Sequence, residues 1–218
     1  MEYVRGYRAE YPALRPLYVA TRMILETRGA FGPRRASVSA YGLLLLVVAA
    51  LKMHHGRFRR PDSLGEQLLA VLHTYAAVDW RRTGVSVDPP GFFDAASVRA
   101  VSPDDDDPAY LRGQRALLQA KRTAAVQRNF PAAGAVCVQD PTNYLNDVGR
   151  SCVRSARLQD VLARAHAQLR SAVAEWDEDE DAAEPGGSIL AHALQANFED
   201  FERVRSRIVH PWTDEGEE

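Results

Sequence analysis

Lysine and cysteine each occur only twice in these 218 residues, no apolar run approaches membrane-spanning length, and neither sign of charge dominates. Each shortage excludes something. Two cysteines, Cys137 and Cys152, cannot staple a chain this long or complete a zinc site, so they are expected as reduced core thiols in a reducing compartment. The most apolar stretch, Leu43 to Leu51, falls far short of the roughly 20 residues that a membrane span needs. With no leader-like segment ahead of the first helical pattern, a soluble intracellular protein is expected; nucleus, cytoplasm and mitochondrion are not distinguished. The 27 basic and 29 acidic residues leave a net charge of −2, so any attraction to nucleic acid has to be local. What remains is an ordinary globular composition, 46% apolar and 26% charged, in a chain long enough to bury a sizeable core.

Helical periodicity fills most of the chain. Tyr3 to Arg28 alternates polar and apolar residues at helical spacing, and Pro12 and Pro16 place the start of the main helix near Ala13. Leu43 to Leu51 is apolar on every side, which predicts the central post of a bundle. Asp62 or Ser63 can cap the next helix, with Glu66 as the box partner of Ser63 and Leu64, Leu68, Val71, Leu72 and Tyr75 as its inner stripe. Gly84 to Asp88 alternates like a short strand stopped by Pro89-Pro90-Gly91. Residues 95 to 108 read as irregular, Tyr110 to Phe130 as an amphipathic helix, and Ser155 onward as another. An acidic loop at 177–187, a last helix from Ile189 to about Val209 and a frayed acidic tail at 213–218 complete the chain. The sequence therefore predicts one mostly α domain over 1–212. It carries a short two-stranded β element, expected to pair Val85 to Val87 with Ala135 to Val138.

The most informative stretch is Val136 to Cys152. A short apolar run reads as a strand, Asp140-Pro141 stops it, and Asn143 to Asp147 forms a polar loop leading toward a helix N-terminus, where free N–H groups favour anions. Such a loop is either a ligand-facing surface or an ordinary capped turn. Asp104 to Asp107 is the densest acidic run, but consecutive aspartates in a loop repel one another and are expected to be a solvated insertion, not a metal site. The adjacent His54-His55 pair points apart on a helix and is likewise not expected to hold metal.

Three ordered segments resemble one family. Arg15-Pro16-Leu17 with Arg22 and Arg28, followed by Ser37 to Gly42 opening an apolar helix, resembles the start of the central domain of noncanonical poly(A) and poly(U) polymerases. Asp62 to Leu69, with Tyr75 and Asp79-Trp80, resembles their poly(A)-polymerase-associated module, placed at about 62–150. Asp140-Pro141 through Asn146-Asp147-Val148-Gly149-Arg150-Ser151 resembles their nucleotide-recognition loop. The resemblance covers roughly residues 12 to 170. It implies a helical bundle similar to the poly(A) polymerase and oligoadenylate synthetase substrate-binding domain.

The family's catalytic palm, similar to that of DNA polymerase β, carries Gly-Ser followed by Asp-x-Asp and a third aspartate that together hold two magnesium ions. No Gly-Ser in this chain is followed by that pair. The resemblance thus implies the nucleotide- and RNA 3′-end-binding portion of a template-independent nucleotidyltransferase, with ATP or UTP as substrate, no catalytic residues or metal ligands of its own, and a need for the missing palm or a catalytic partner. The alternative is a catalytically silent helical module that scaffolds an RNA-processing complex; neither membrane nor DNA is expected as a partner. By the same resemblance, Tyr41 stacks the base beside Ser39, Arg22 meets the triphosphate with Glu26 one turn on, Asn146 reads the base and favours ATP, and Asp147 orients Asn146 or contacts the base. Residue chemistry alone also allows Tyr41 to anchor the mouth of a buried helix and Asp147 to cap a turn.

Overall fold

The computed structural model describes residues 2–32, 36–99, 107–178 and Leu190. The final helix, the acidic tail, most of the 177–187 segment and Asp104 to Asp106 lie outside the described residues. Helix α1 (Glu2–Glu10) is separated from α2 (Leu14–Thr27) at Tyr11 to Ala13, where Pro12 interrupts the helical pattern. Helix α3 (Ala40–Met53) is the expected central post. Leu43, Leu45, Leu46, Val47, Val48, Ala49, Ala50 and Leu51 are all buried in the main core with Leu14, Leu17, Ile24 and Leu25 of α2. Each large aliphatic side chain so buried contributes about 1.5–3 kcal/mol, which makes this all-round apolar helix the natural nucleus of the packing.

Helix α4 (Leu64–Ala76) crosses α3, and its buried Tyr75 hydroxyl donates to the Leu46 carbonyl at 2.6 Å. Ser63 caps α4 as expected, accepting the Glu66 N–H at 3.3 Å. Glu66 does not return the bond to Ser63; its carboxylate accepts instead from the backbone N–H groups of Arg59 and Arg60. Leu64, assigned to the inner stripe, is 47% exposed, because the first turn of α4 overhangs the bundle.

The β structure differs from the expected pairing. Strand β1 (Gly84–Val87) turns back at once into β2 (Pro90–Phe93), with Val85 opposite Phe92 and Val87 opposite Pro90. The turn of this hairpin is Asp88-Pro89, and Pro90 and Gly91 begin its second strand. Among the described residues, its ladder link to the 135–138 segment is a single bridge between Val85 and Val138, with the Val85 N–H donating to the Cys137 carbonyl at 2.9 Å. Asp88, at the end of β1, accepts from the Tyr7 hydroxyl at 2.6 Å and pairs with Lys52, whose ammonium lies 4.9 Å from the Tyr7 ring centre. Tyr7 is the one buried residue of α1.

The stretch expected to be irregular contains α5 (Ala95–Arg99), capped by Asp94, whose Oδ1 accepts from the Ala96 and Ser97 N–H groups. Helix α6 (Ala109–Val126) stops short of the predicted Phe130, and Asn129 caps a separate turn, α7 (Phe130–Ala133). A second hairpin follows, β3 (Gln139–Asp140) and β4 (Asn143–Asp147), and the chain closes with α8 (Ser155–Glu178) against α4. Asn143 to Asp147 is therefore an antiparallel strand and not a strand-to-helix loop. Helix α8 also runs past the expected start of the acidic loop at 177. Cys137 and Cys152 are buried free thiols, and burial raises the pKa of both.

Candidate nucleotide site

The turn between β3 and β4 is built by one side chain. Asp140 Oδ1 accepts from the Thr142 N–H at 2.9 Å and the Thr142 hydroxyl at 2.7 Å, the side-chain turn that Asp favours before Pro-Thr. The same carboxylate gathers two of the residues picked out from the sequence: the Tyr41 hydroxyl donates to Oδ1 at 3.3 Å, and Asn146 Nδ2 donates to Oδ2 at 2.9 Å. Burial alone pushes the Asp140 carboxyl up, but the bonds from Asn146, Thr142 and Tyr41 outweigh it and hold it below the ordinary aspartate range. It is a carboxylate at neutral pH. Burial, with Asp140 beside it, pushes the Tyr41 phenol up to about 12, so Tyr41 is a neutral donor.

Tyr41 belongs to the first turn of α3, whose cap is Ser39; the Ser39 hydroxyl accepts the Gly42 N–H at 3.1 Å and keeps its own proton to donate. The segment just after β4 packs here too. A Cβ placed on Gly42 would lie 3.1 Å from Ser39 Oγ and 3.7 Å from the Val148 side chain. Arg22 is held away from Tyr41's bonds: it pairs with Glu26 at 3.3 Å and lies over the Phe31 ring at 4.9 Å. Phe31 bridges Val38, the neighbour of Ser39, so Arg22 flanks the capped end of α3 through that loop.

Asp147 contacts neither Tyr41 nor Asn146 by hydrogen bond. Its Oδ1 accepts from the Val138 N–H at 2.9 Å and the Gly149 N–H at 2.8 Å, and burial raises its pKa against those bonds and the nearby Lys121. These are the contacts of a turn brace. The structure thus brings Tyr41 and Asn146 together, sets Ser39 beside them, and leaves Arg22 and Asp147 to either side.

Two residues absent from the sequence assignment complete the frame. Asp140 looked like a strand stop, although the Asp-Pro-Thr order already carried the turn signal. Gln139 is 1% exposed; its Nε2 donates to the Tyr110 and Tyr144 carbonyls, and its Oε1 accepts from Ser86 Oγ, fastening the hairpin to α6 and β1. Among the described residues no three His, Cys, Asp or Glu side chains converge to hold a metal, so the magnesium implied by the resemblance finds no fitting donor set there. Asp107 is paired with Arg115.

No protein-family model matches the chain. The chain is similar to the poly(A) RNA polymerase cid14 of Schizosaccharomyces pombe, with 25% identity over 173 residues that make up 77% of this chain and 22% of cid14. Its fold matches a solved structure of the polymerase core of TRAMP, an RNA surveillance complex. That match has a TM-score of 0.66 at 17% identity, over 89% of this chain and 55% of that one. The chain thus spans well under two thirds of either relative's length.

Proposed function

We propose that this chain, which is similar to a poly(A) RNA polymerase, forms the nucleotide- and RNA 3′-end-binding portion of a template-independent RNA nucleotidyltransferase that favours ATP. One observation carries the reading: Asp140 receives both the Tyr41 hydroxyl and an amide proton of Asn146. With one Nδ2 proton on Asp140, Asn146 keeps its Oδ1 as an acceptor and its second Nδ2 proton as a donor for a base edge. Adenine presents its exocyclic amine to that Oδ1 and a ring nitrogen to the remaining Nδ2 proton. Tyr41 supplies the stacking face, and Ser39 with the first-turn N–H groups of α3 supplies donors for an anion. The divalent ions that phosphoryl transfer uses in this family neutralise the triphosphate; this chain's described residues supply binding and orientation.

The test is comparative titration of ATP and UTP. Wild type binds ATP more tightly, and Asn146→His shifts preference toward UTP by about 0.5–1.5 kcal/mol, the net worth of one neutral hydrogen bond. An equal loss with both nucleotides would reduce Asn146 to a shaper of the hairpin. A second reading, a silent scaffold module for RNA processing, is favoured by the Arg22–Glu26 pair, which offsets the one flanking cation suited to a triphosphate. That reading requires neither nucleotide to bind.

A further inference from the structure

We propose that a basic trough on the α5–α6–α7 face binds single-stranded RNA away from the nucleotide site, by its phosphates and by one stacking ring. The trough is a cavity of about 710 Å³ between the Arg81-Arg82 turn, the start of α5, α6 and α7; its cations are Arg81, Arg82, Lys121 and Arg122, and its carboxylate is Asp94. A second hollow of about 260 Å³ shares Ala95, Leu118 and Arg122 with it and adds Arg99 and Arg115. Six cations in a chain of net charge −2 is a local concentration that composition does not supply.

Among the described residues, the carboxylates nearby are engaged. Asp94 accepts the two N–H groups that cap α5, and Asp107 is paired with Arg115. Arg81, Arg82, Arg99 and Arg122 are exposed, and among the described residues none has a carboxylate within ion-pair distance. Lys121 lies in the floor, 8% exposed, its ammonium donating to the Ala135 carbonyl. Cations without partners in a concave wall gain most from a polyanion whose bound counterions are released on contact.

Phe130 selects the polyanion. It borders the trough and is 69% exposed. Arginines beside an exposed aromatic fit a single strand, whose phosphates and bases use both; an acidic peptide uses only the charge. Lys121 also borders a cleft that includes Asn146 and Arg150, so trough and candidate base site share the α6 ridge. The choice of RNA rests on the function proposed above.

The test is anisotropy of a fluorescent oligouridylate with the full chain over a range of salt, alongside ATP titration. Combining Arg81→Ala, Arg82→Ala and Arg122→Ala should weaken RNA binding about tenfold or more and flatten the log–log salt slope by about 0.7 for each phosphate that is no longer neutralised. Phe130→Ala should cost about fivefold or more with the slope unchanged. All these side chains are exposed, so melting temperature and ATP affinity stay at wild-type values. Unchanged RNA affinity and slope in the triple variant would overturn the proposal. So would tighter binding of poly-glutamate than of RNA, which would mark an acidic protein surface as the occupant. RNA binding that depends on the trough in a chain that binds no ATP would sink the nucleotide-site proposal alone.

Discussion

A single carboxylate connects the proposed stacking platform, Tyr41, to the proposed base reader, Asn146. Asp140 is ionised, buried and bonded to Tyr41, Thr142 and Asn146 at once, so neither candidate contact is placed independently of the other. Tyr41→Ala removes the ring and should weaken ATP binding by about 1–3 kcal/mol. Tyr41→Phe keeps the ring and loses only the 3.3 Å bond to Asp140, so it should retain most of that affinity. Calorimetric titration beside thermal melts separates the roles, since unchanged affinity with a large drop in melting temperature would make Tyr41 a core anchor only. Motif order singles out Tyr41 and Asn146 in the sequence, and the structure joins the two through Asp140. Asp140 was missed because its convergence with Tyr41 depends on the β3–β4 register, and Asp147's backbone bonds depend on the same register.

Among elements, the helices were readable and the hairpins were not. Leu43 to Leu51 is apolar on all faces and can only be buried, whereas Asn143 to Asp147 lacks the β-branched alternation of a strand and is held as one by its turn and by α6. The grip of α6 depends on Gly113. A Cβ there would come 2.2 Å from the Tyr144 carbonyl oxygen and 2.6 Å from Gln139 Nε2. Gly113→Ala should therefore push the hairpin off α6, destabilise the fold by about 1–3 kcal/mol, and blunt discrimination between ATP and UTP. Denaturant melts with paired nucleotide titrations check both effects. Helix α4 gives a pH dependence: bonds from the Arg59 and Arg60 N–H groups hold Glu66 below the ordinary glutamate range. A depressed carboxyl contributes stability that is present above its unfolded pKa and lost as pH falls through the folded one. Glu66→Gln should lower stability near neutral pH, leave it nearly unchanged in acid, and so flatten the acid limb of the stability profile. An unaltered acid limb would show that the Glu66 bonds persist in the unfolded chain.

At the scale of the molecule, the described residues bring the proposed binding groups together and include no cluster of three metal-ligating side chains. Purified chain should accordingly extend no RNA with ATP or UTP in magnesium or manganese. Magnesium-dependent tailing that is abolished by Asp105→Asn with Asp107→Asn would make the aspartate run the active site and overturn this. The bundle is also unevenly fastened. Helix α1 reaches the core through Tyr7, bonded to Asp88 and lying under Lys52. A segment with one anchor opens in a local fluctuation far below the global unfolding free energy. Tyr7→Phe should accordingly make Arg5 and Arg8 the earliest tryptic sites at native temperature, while cleavage at the α6 arginines waits for global unfolding. The end of β1 thereby acts as the latch that decides whether the first helix travels with the bundle or swings free of it.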